Sequence, residues 1–213
     1  EIHERLVGSE MCIRDRNIKT VLEKNKLDGI DLDFEWAENE KEYKDYSLAI
    51  LKMREVLGDK YLFSVSLHPV CYKISKEAIE AVDFISLQCY GPSPVRFPIE
   101  KYCSDIQMVL EYGIPKEKLV AGVPFYGVTK DNSKKTEAYF NFVQNGLVTS
   151  PAQNEVIYQG DTYVFDGQDN IRIKTRYAKE QKLKGMMSWD LATDLPLSDS
   201  RSLLKTMTEE LRE

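Results

Sequence analysis

Three carboxylates stand at alternate positions in Asp28-Gly29-Ile30-Asp31-Leu32-Asp33-Phe34-Glu35-Trp36: Asp31, Asp33 and Glu35. In a β-strand, successive side chains point to opposite faces. The three acids would then share one face, and Ile30, Leu32 and Phe34 the other. Carboxylates held close together cannot all ionise as if alone, so one keeps its proton near neutral pH. Residues two apart on a strand lie roughly 6–7 Å apart along its axis, near enough for their side chains to lean together and share a proton. Such a set suits acid/base chemistry, with the last acid, at the strand's C-terminal end, reaching furthest out. Asp28 is out of register with the set and reads as a turn or backbone-bonding residue.

Two other uses of these residues compete. One is a solvated strand face without chemistry. The helical patterns on either side and the apolar strand stretches that follow argue instead for a strand inside an α/β sheet. The other is a metal loop. Counted from Asp31, Asp33, Glu35, Asn39 and Glu42 supply oxygens at EF-hand-like spacing, but Trp36 stands where the sharp turn needs glycine. No metal and no cofactor is expected.

The elements that must position the acids follow from periodicity. Ile18, Val21 and Leu22 fit the inner face of a helix over 17–27, and the acidic strand occupies 29–35. Tyr43, Tyr46, Ile50, Met53 and Leu57 recur at helical steps over 40–57, with Gly58 as the stop. Tyr61–Leu67 and Asp83–Cys89 read as buried strands, with Ser75 capping a short helix over 76–81 between them. A proline-stiffened loop, Tyr90–Pro98, leads to a helix over 99–112 with Tyr102, Ile106, Val109 and Leu110 inward, capped by Gly113. Leu119–Pro124 is a further strand. Thr136 is expected to cap a helix that stops before Gly146, and a hairpin follows, Val156–Tyr158 and Tyr163–Phe165 around Gln-Gly-Asp. A helix over 169–182 precedes the last strand, Gly185–Trp189. Ser198 or Asp199 is expected to start a final helix with Leu203, Leu204, Met207 and Leu211 inside.

Short apolar strands alternating with helical patterns indicate an α/β fold with a parallel sheet. An open doubly wound sheet and a (β/α)8 barrel both fit; no glycine-rich phosphate loop follows any strand, which weakens the nucleotide-binding version. Barrels build one site from the C-terminal ends of several strands. Here those ends carry Asp33 and Glu35, His68, Gln88 and Tyr90, Phe125 and Tyr126, and Trp189 and Asp190. Polar and aromatic groups converging this way look like a sugar-binding cleft. His68, before a proline, reads as structural.

The chain has 213 residues, of which 42% are hydrophobic and 30% charged, an ordinary globular composition. A formal charge of -6 with no basic patch argues against nucleic acid. No apolar run is long enough to cross a bilayer, so no membrane partner is expected. Cys12, Cys71, Cys89 and Cys103 show no zinc spacing, and Cys89 reads as a packed core residue. Residues 1–16 lack a helical or strand period and the apolar core of a signal peptide. GSEMCIRDR resembles translated sequencing-adapter sequence. The expectation is a non-native or disordered leader over 1–16, with native sequence from about Asn17.

DGIDLDFE resembles the DGxDxDxE motif of the family 18 glycoside hydrolases, the chitinase-type enzymes. Gln88-Cys89-Tyr90, Gly122-Val123-Pro124-Phe125-Tyr126-Gly127 and Gly185-Met186-Met187-Ser188-Trp189, with Asp190 and Asp194, are similar to later landmarks of that family in the same order. The resemblance implies an α/β fold: a partial (β/α)8 TIM barrel, about strands four to eight, with a small hairpin insertion before the last strand. Residues 17–213 would then be the C-terminal part of a catalytic barrel, monomeric when complete, from a secreted or cell-envelope protein.

The implied activity is hydrolysis of β-1,4 linkages in glycans containing N-acetylglucosamine. Glu35 would protonate the leaving oxygen, and the substrate's own acetamido group would act as nucleophile. Asp33 would orient that group, Asp31 would share a proton or hydrogen bond with Asp33, and Tyr90 would donate to the acetamido oxygen. Trp189 would floor a sugar subsite, with Tyr126 and Gln88 lining it. Gly91 departs from the Asp or Asn common in chitinases. It opens a reading as an endo-β-N-acetylglucosaminidase on glycoprotein glycans or peptidoglycan-like chains, while a non-catalytic carbohydrate-binding protein is the alternative outside enzymes.

Overall fold

The computed structural model describes residues 17–90, 97–131 and 135–212. The leader 1–16 and Gly91 lie outside the described residues. The chain divides into two units: one runs to Leu67 and takes in Cys71–Ile85, and the other joins His68–Val70 to Ser86 and all that follows.

In the first unit, residues 17–25 are helical and lead to β1 (Gly29–Asp33). Leu22 is buried as its spacing predicts, whereas Val21 is exposed. Next come α1 (Glu40–Leu57), β2 (Leu62–Leu67) and α2 (Lys76–Ala81). α1 begins at Asn39, whose side-chain oxygen accepts from the Glu42 N–H. The Glu42 carboxylate in turn accepts from the Glu38 N–H and the Asn39 amide, at 2.7 and 2.8 Å. Asn39 and Glu42, the outer members of the metal-loop reading, are thus occupied in capping a helix. Tyr46, Ile50, Met53 and Leu57 are buried along one face, each burial stabilising by about 1.5–3 kcal/mol. The helix stops at Gly58, where φ is 60° and a residue without Cβ costs least. β1 and β2 are parallel, in register from Gly29 against Leu62 to Asp33 against Ser66. Arg54 pins the entry to β2: its guanidinium donates to Ala81 O and binds the Asp83 carboxylate, which also accepts from Phe63 N–H. The Asp28 carbonyl accepts from Leu62 N–H.

β3 (Phe84–Leu87) crosses the division between the units. The second unit continues with α3 (Ile99–Tyr112), closed by Gly113 in the left-handed conformation, and β4 (Leu119–Pro124). β4 pairs in parallel with β9 (Gly185–Trp189), Pro124 standing against Trp189. Between them lies more than the expected hairpin. β5 (Tyr126–Thr129), β6 (Thr136–Ala138), β7 (Glu155–Tyr158) and β8 (Asp161–Val164) form a four-stranded antiparallel sheet in the order β6-β5-β8-β7. Thr136 is therefore a strand residue and not a helix cap. Its segment pairs with β5, and α4 (Tyr139–Gln144) starts only after it. Phe142 fills the apolar side of this sheet, its ring 5.4–5.9 Å from those of Phe165, Tyr163 and Tyr158.

α5 (Gln168–Glu180) precedes β9, and α6 (Leu203–Arg212) ends the described chain. α6 starts later than its sequence suggests. Asp199 is taken up by Arg201, while the buried Asp194 accepts from the N–H groups of Leu203 and Leu204. Leu203 and Met207 face inward, but Leu204 is half-buried and Leu211 is exposed.

Candidate functional site

The acidic stretch is shorter as a strand than its alternation predicts. β1 ends at Asp33, so Glu35 lies just beyond it. Asp31, Asp33 and Glu35 are all exposed. That corrects the expectation of acids enclosed within a sheet: among the described residues β1 has a strand neighbour on one side only, which leaves its polar face in solvent.

Asp31 is nonetheless fixed. Its two carboxylate oxygens accept from the hydroxyls of Ser64 and Ser66, at 2.5 and 2.7 Å. The parallel register makes this possible, because Ser64 stands directly against Asp31 and Ser66 one step further on, against Asp33. Sequence reasoning missed these two serines. Their signal was present in Tyr61–Leu67 as two hydroxyls at period two, on the same face as the acids.

The other side of β1 packs on α1. The Tyr46 hydroxyl donates to Leu32 O at 3.3 Å, and its ring lies 5.1 Å from that of Phe34. Burial, with added effects from Cys71, Asp31 and Asp33, pushes the Tyr46 phenol well above its ordinary pKa, so it stays a neutral donor. The segment after Glu35 is tied down by Ala37 N–H, which donates to the buried Cys71 sulfur at 3.1 Å. The peptide bonds Glu35–Trp36 and Trp189–Asp190 are cis.

In the second unit, Tyr126 and Trp189 line one groove of about 300 Å³ with Thr136, Glu137, Ala138, Asp190 and Thr193. Trp189 is 57% exposed, which decides against a core role. Tyr126 is half-buried and meets Tyr90 and Phe97 edge to face, with ring centroids 6.4 and 6.3 Å away. Tyr90 is buried, its hydroxyl 3.9 Å from the Met187 sulfur. Gly122 permits this packing, since a Cβ there would stand 2.7 Å from Leu87 O and 3.0 Å from the Tyr90 ring. Gln88, Cys89 and His68 are buried, and His68 Nδ1 accepts from Val70 N–H. Asp190 caps the 3-10 turn Leu191–Thr193 in a reciprocal box with Thr193. Glu137 was missed from sequence because its segment reads as a helix start; pairing with β5 carries it to the groove.

A family model for glycosyl hydrolases family 18 matches residues 15–194. Among curated proteins, the chain is 24% identical to "Probable chitinase 2" of Drosophila melanogaster, over 90% of this chain and 53% of that protein. Among solved structures, it resembles the GH18 chitinase ChiB from the chitin utilization locus of Flavobacterium johnsoniae. The TM-score is 0.76 and the identity 26%, covering 92% of this chain and 64% of that one. It also resembles the chitinase-like agglutinin RobpsCRA from Robinia pseudoacacia, with a TM-score of 0.75 at 18% identity, covering 90% of this chain and 70% of that one. The chain spans a little over half the length of the first curated relatives it matches. These likenesses are those of an α/β, TIM-barrel-like fold.

Proposed function

The chain belongs to family 18 of the glycosyl hydrolases, and we propose that it serves hydrolysis of β-1,4 linkages in N-acetylglucosamine glycans, with Glu35 as general acid. One observation carries the reading: on the stretch that holds all three acids, Asp31 is locked by Ser64 and Ser66 while Glu35 stands past the strand end, exposed. A fixed anion beside Asp33 and a reachable proton donor are what a substrate-assisted mechanism asks of this chain.

In that mechanism Glu35 gives its proton to the leaving glycosidic oxygen. The carbonyl oxygen of the substrate's acetamido group bonds to the anomeric carbon as the glycosidic bond breaks. Water then opens the resulting oxazolinium ion with retention, Glu35 accepting a proton in return. Asp33 accepts from the acetamido N–H and offsets the charge that develops there, and Asp31 keeps it oriented. Tyr90 donates to the acetamido oxygen, exchanging a weak sulfur acceptor for an oxygen. Trp189 offers an exposed ring to the C–H face of a pyranose, and Tyr126 lines the same groove. Gln88 contributes as a buried polar support.

The test is Glu35→Gln, assayed on a chromogenic chito-oligosaccharide with binding followed by calorimetry. Turnover should fall by about 10²–10⁴-fold with binding retained. Unchanged turnover overturns the role of Glu35. Wild-type protein that binds the sugar but releases no product would instead be a carbohydrate-binding protein of the kind named by its agglutinin-like neighbour.

A further inference from the structure

A buried ion pair, Asp166 with Lys174, has no part in the proposed mechanism, yet its ammonium lies against the aromatic cluster that contains Tyr90. We propose that Lys174 is a positioning residue for the reaction: through Phe97 and Tyr126 its charge fixes the ring of Tyr90, and with it the hydroxyl that meets the acetamido group. The inference rests on the reading of Tyr90 as that donor and adds what holds it in place.

Every group in this series of contacts belongs to the second unit. The side chains of Asp166 and Lys174 are 0% and 1% exposed. Lys174 Nζ donates to Asp166 Oδ2 at 2.6 Å, and Asp166 Oδ1 accepts from the Asn170 amide at 3.1 Å. The ammonium also lies over two ring faces, 5.9 Å from the centre of Phe97 and 5.5 Å from that of Tyr102 on α3. Both are within the roughly 6 Å at which a ring face attracts a cation, and the attraction grows where water is excluded. Phe97 in turn meets Tyr126 with centroids 6.3 Å apart and planes at 82°. Tyr126 meets Tyr90 at 6.4 Å, again at 82°. Such contacts are directional, because the positive edge of one ring seeks the negative face of the next. Tyr90 and Phe97 are buried with Val128 in one cluster, against which Tyr126 and Met187 pack. A tilt imposed on Phe97 is therefore passed to Tyr126 and to Tyr90.

The charge is what needs explaining. A phenylalanine ring forms no ordinary hydrogen bond, so packing and a nearby charge set its tilt. An apolar residue in place of Lys174 could supply the packing. Buried ion pairs replaced by apolar residues of similar volume often lose no stability, so stability alone does not account for a lysine closed into this core. What an apolar pair lacks is a fixed charge facing the rings. Asp166 holds Lys174, and Lys174 acts on Phe97.

The test compares wild type with three proteins: the apolar swap Lys174→Met with Asp166→Leu, Tyr90→Phe, and all three substitutions together. Each is assayed for kcat/KM on a chromogenic chito-oligosaccharide, with binding of the acetylated oligomer followed by calorimetry and stability by denaturant unfolding. The swap should keep most of the wild-type stability but lower kcat/KM by about three- to tenfold. In the Tyr90→Phe background it should add less than about twofold, because no hydroxyl is left to place. A pair that only supports the fold gives no loss, or the same loss in both backgrounds, and either result overturns the inference. Should the swap fold poorly, Phe97→Leu takes its place. It keeps the ion pair, removes the ring between Lys174 and Tyr126, and should show the same dependence on Tyr90. Wild-type turnover in Tyr90→Phe overturns the role of Tyr90 and the inference with it. Reduced turnover there, beside a swap without effect, overturns the inference alone. A wild type that binds without turnover is judged by the same comparison in Kd, and Glu35→Gln judges the proposed function separately.

Discussion

Asp31 on β1 and Asp166 just after β8 are the same side chain in opposite settings. Asp166 is fully buried and binds Lys174, itself buried, at 2.6 Å, with a further hydrogen bond from Asn170. The Lys174 ammonium also lies over the rings of Phe97 and Tyr102, at 5.9 and 5.5 Å. Burial pushes the Asp166 carboxyl up, and the lysine beside it pulls it back down. Among the described residues no cation hydrogen-bonds to Asp31; two neutral hydroxyls hold it, and its residue faces solvent. A carboxylate closed onto a buried cation is spent on holding elements together. A carboxylate oriented by hydroxyls keeps its charge for its neighbours. Both acids are held by side-chain hydrogen bonds; what differs between the two regions is the charge of the partner.

Breaking the buried pair should cost most. Lys174→Met leaves an uncompensated carboxylate in the core and should lower stability by about 3–5 kcal/mol, read by denaturant unfolding. Lys174→Met combined with Asp166→Leu should recover much of that loss, because an apolar pair of similar volume needs no compensation. If the single substitution costs nothing, the contrast between the two regions fails on its buried side.

The exposed side is tested by Ser64→Ala with Ser66→Ala. Each lost hydrogen bond should destabilise by about 1 kcal/mol or less. Turnover on a chito-oligosaccharide should fall by about tenfold, equivalent to about 1.4 kcal/mol, while binding changes little. A stability loss without a change in turnover would make Asp31 a structural acid after all.

The smallest effect sharpens the comparison with a third acid. Arg201 donates to Asp199 from both its side chain and its backbone and lowers that carboxyl to about 2. The folded value lies below the unfolded one. The contribution is therefore complete above the ordinary carboxylate range and is lost as pH falls through about 2. The pair is partly exposed, 24% for Asp199 and 48% for Arg201, so solvent screening keeps its contribution small. Acid unfolding of Arg201→Ala should differ only slightly from wild type near neutral pH and converge with it at the acid end.

Local signals were legible where the deciding contacts are local. α3, β4 and β9 fall where periodicity, Gly113 and the apolar runs put them, and α1 is bounded by Asn39 and Gly58 as its caps require. Reading failed where a distant partner decided. Thr136–Ala138 is too short to declare itself a strand and becomes one against β5. α6 begins at Leu203 because Asp194, nine residues earlier, takes the Leu203 N–H. Glu137 reaches the groove by the same strand pairing.

The sequence by itself determined which acids occur, in what order, and the motif resemblance they carry, because alternation and side-chain type are properties of adjacent residues. Only the tertiary structure decided what each acid is bound to. Asp31 meets hydroxyls 33 and 35 residues away, and that meeting depends on the parallel register of β1 and β2, set by the whole helix between them. Exposure was decided there too: whether a strand face is wet depends on what lies beside the strand in space, and no periodicity within the strand records it.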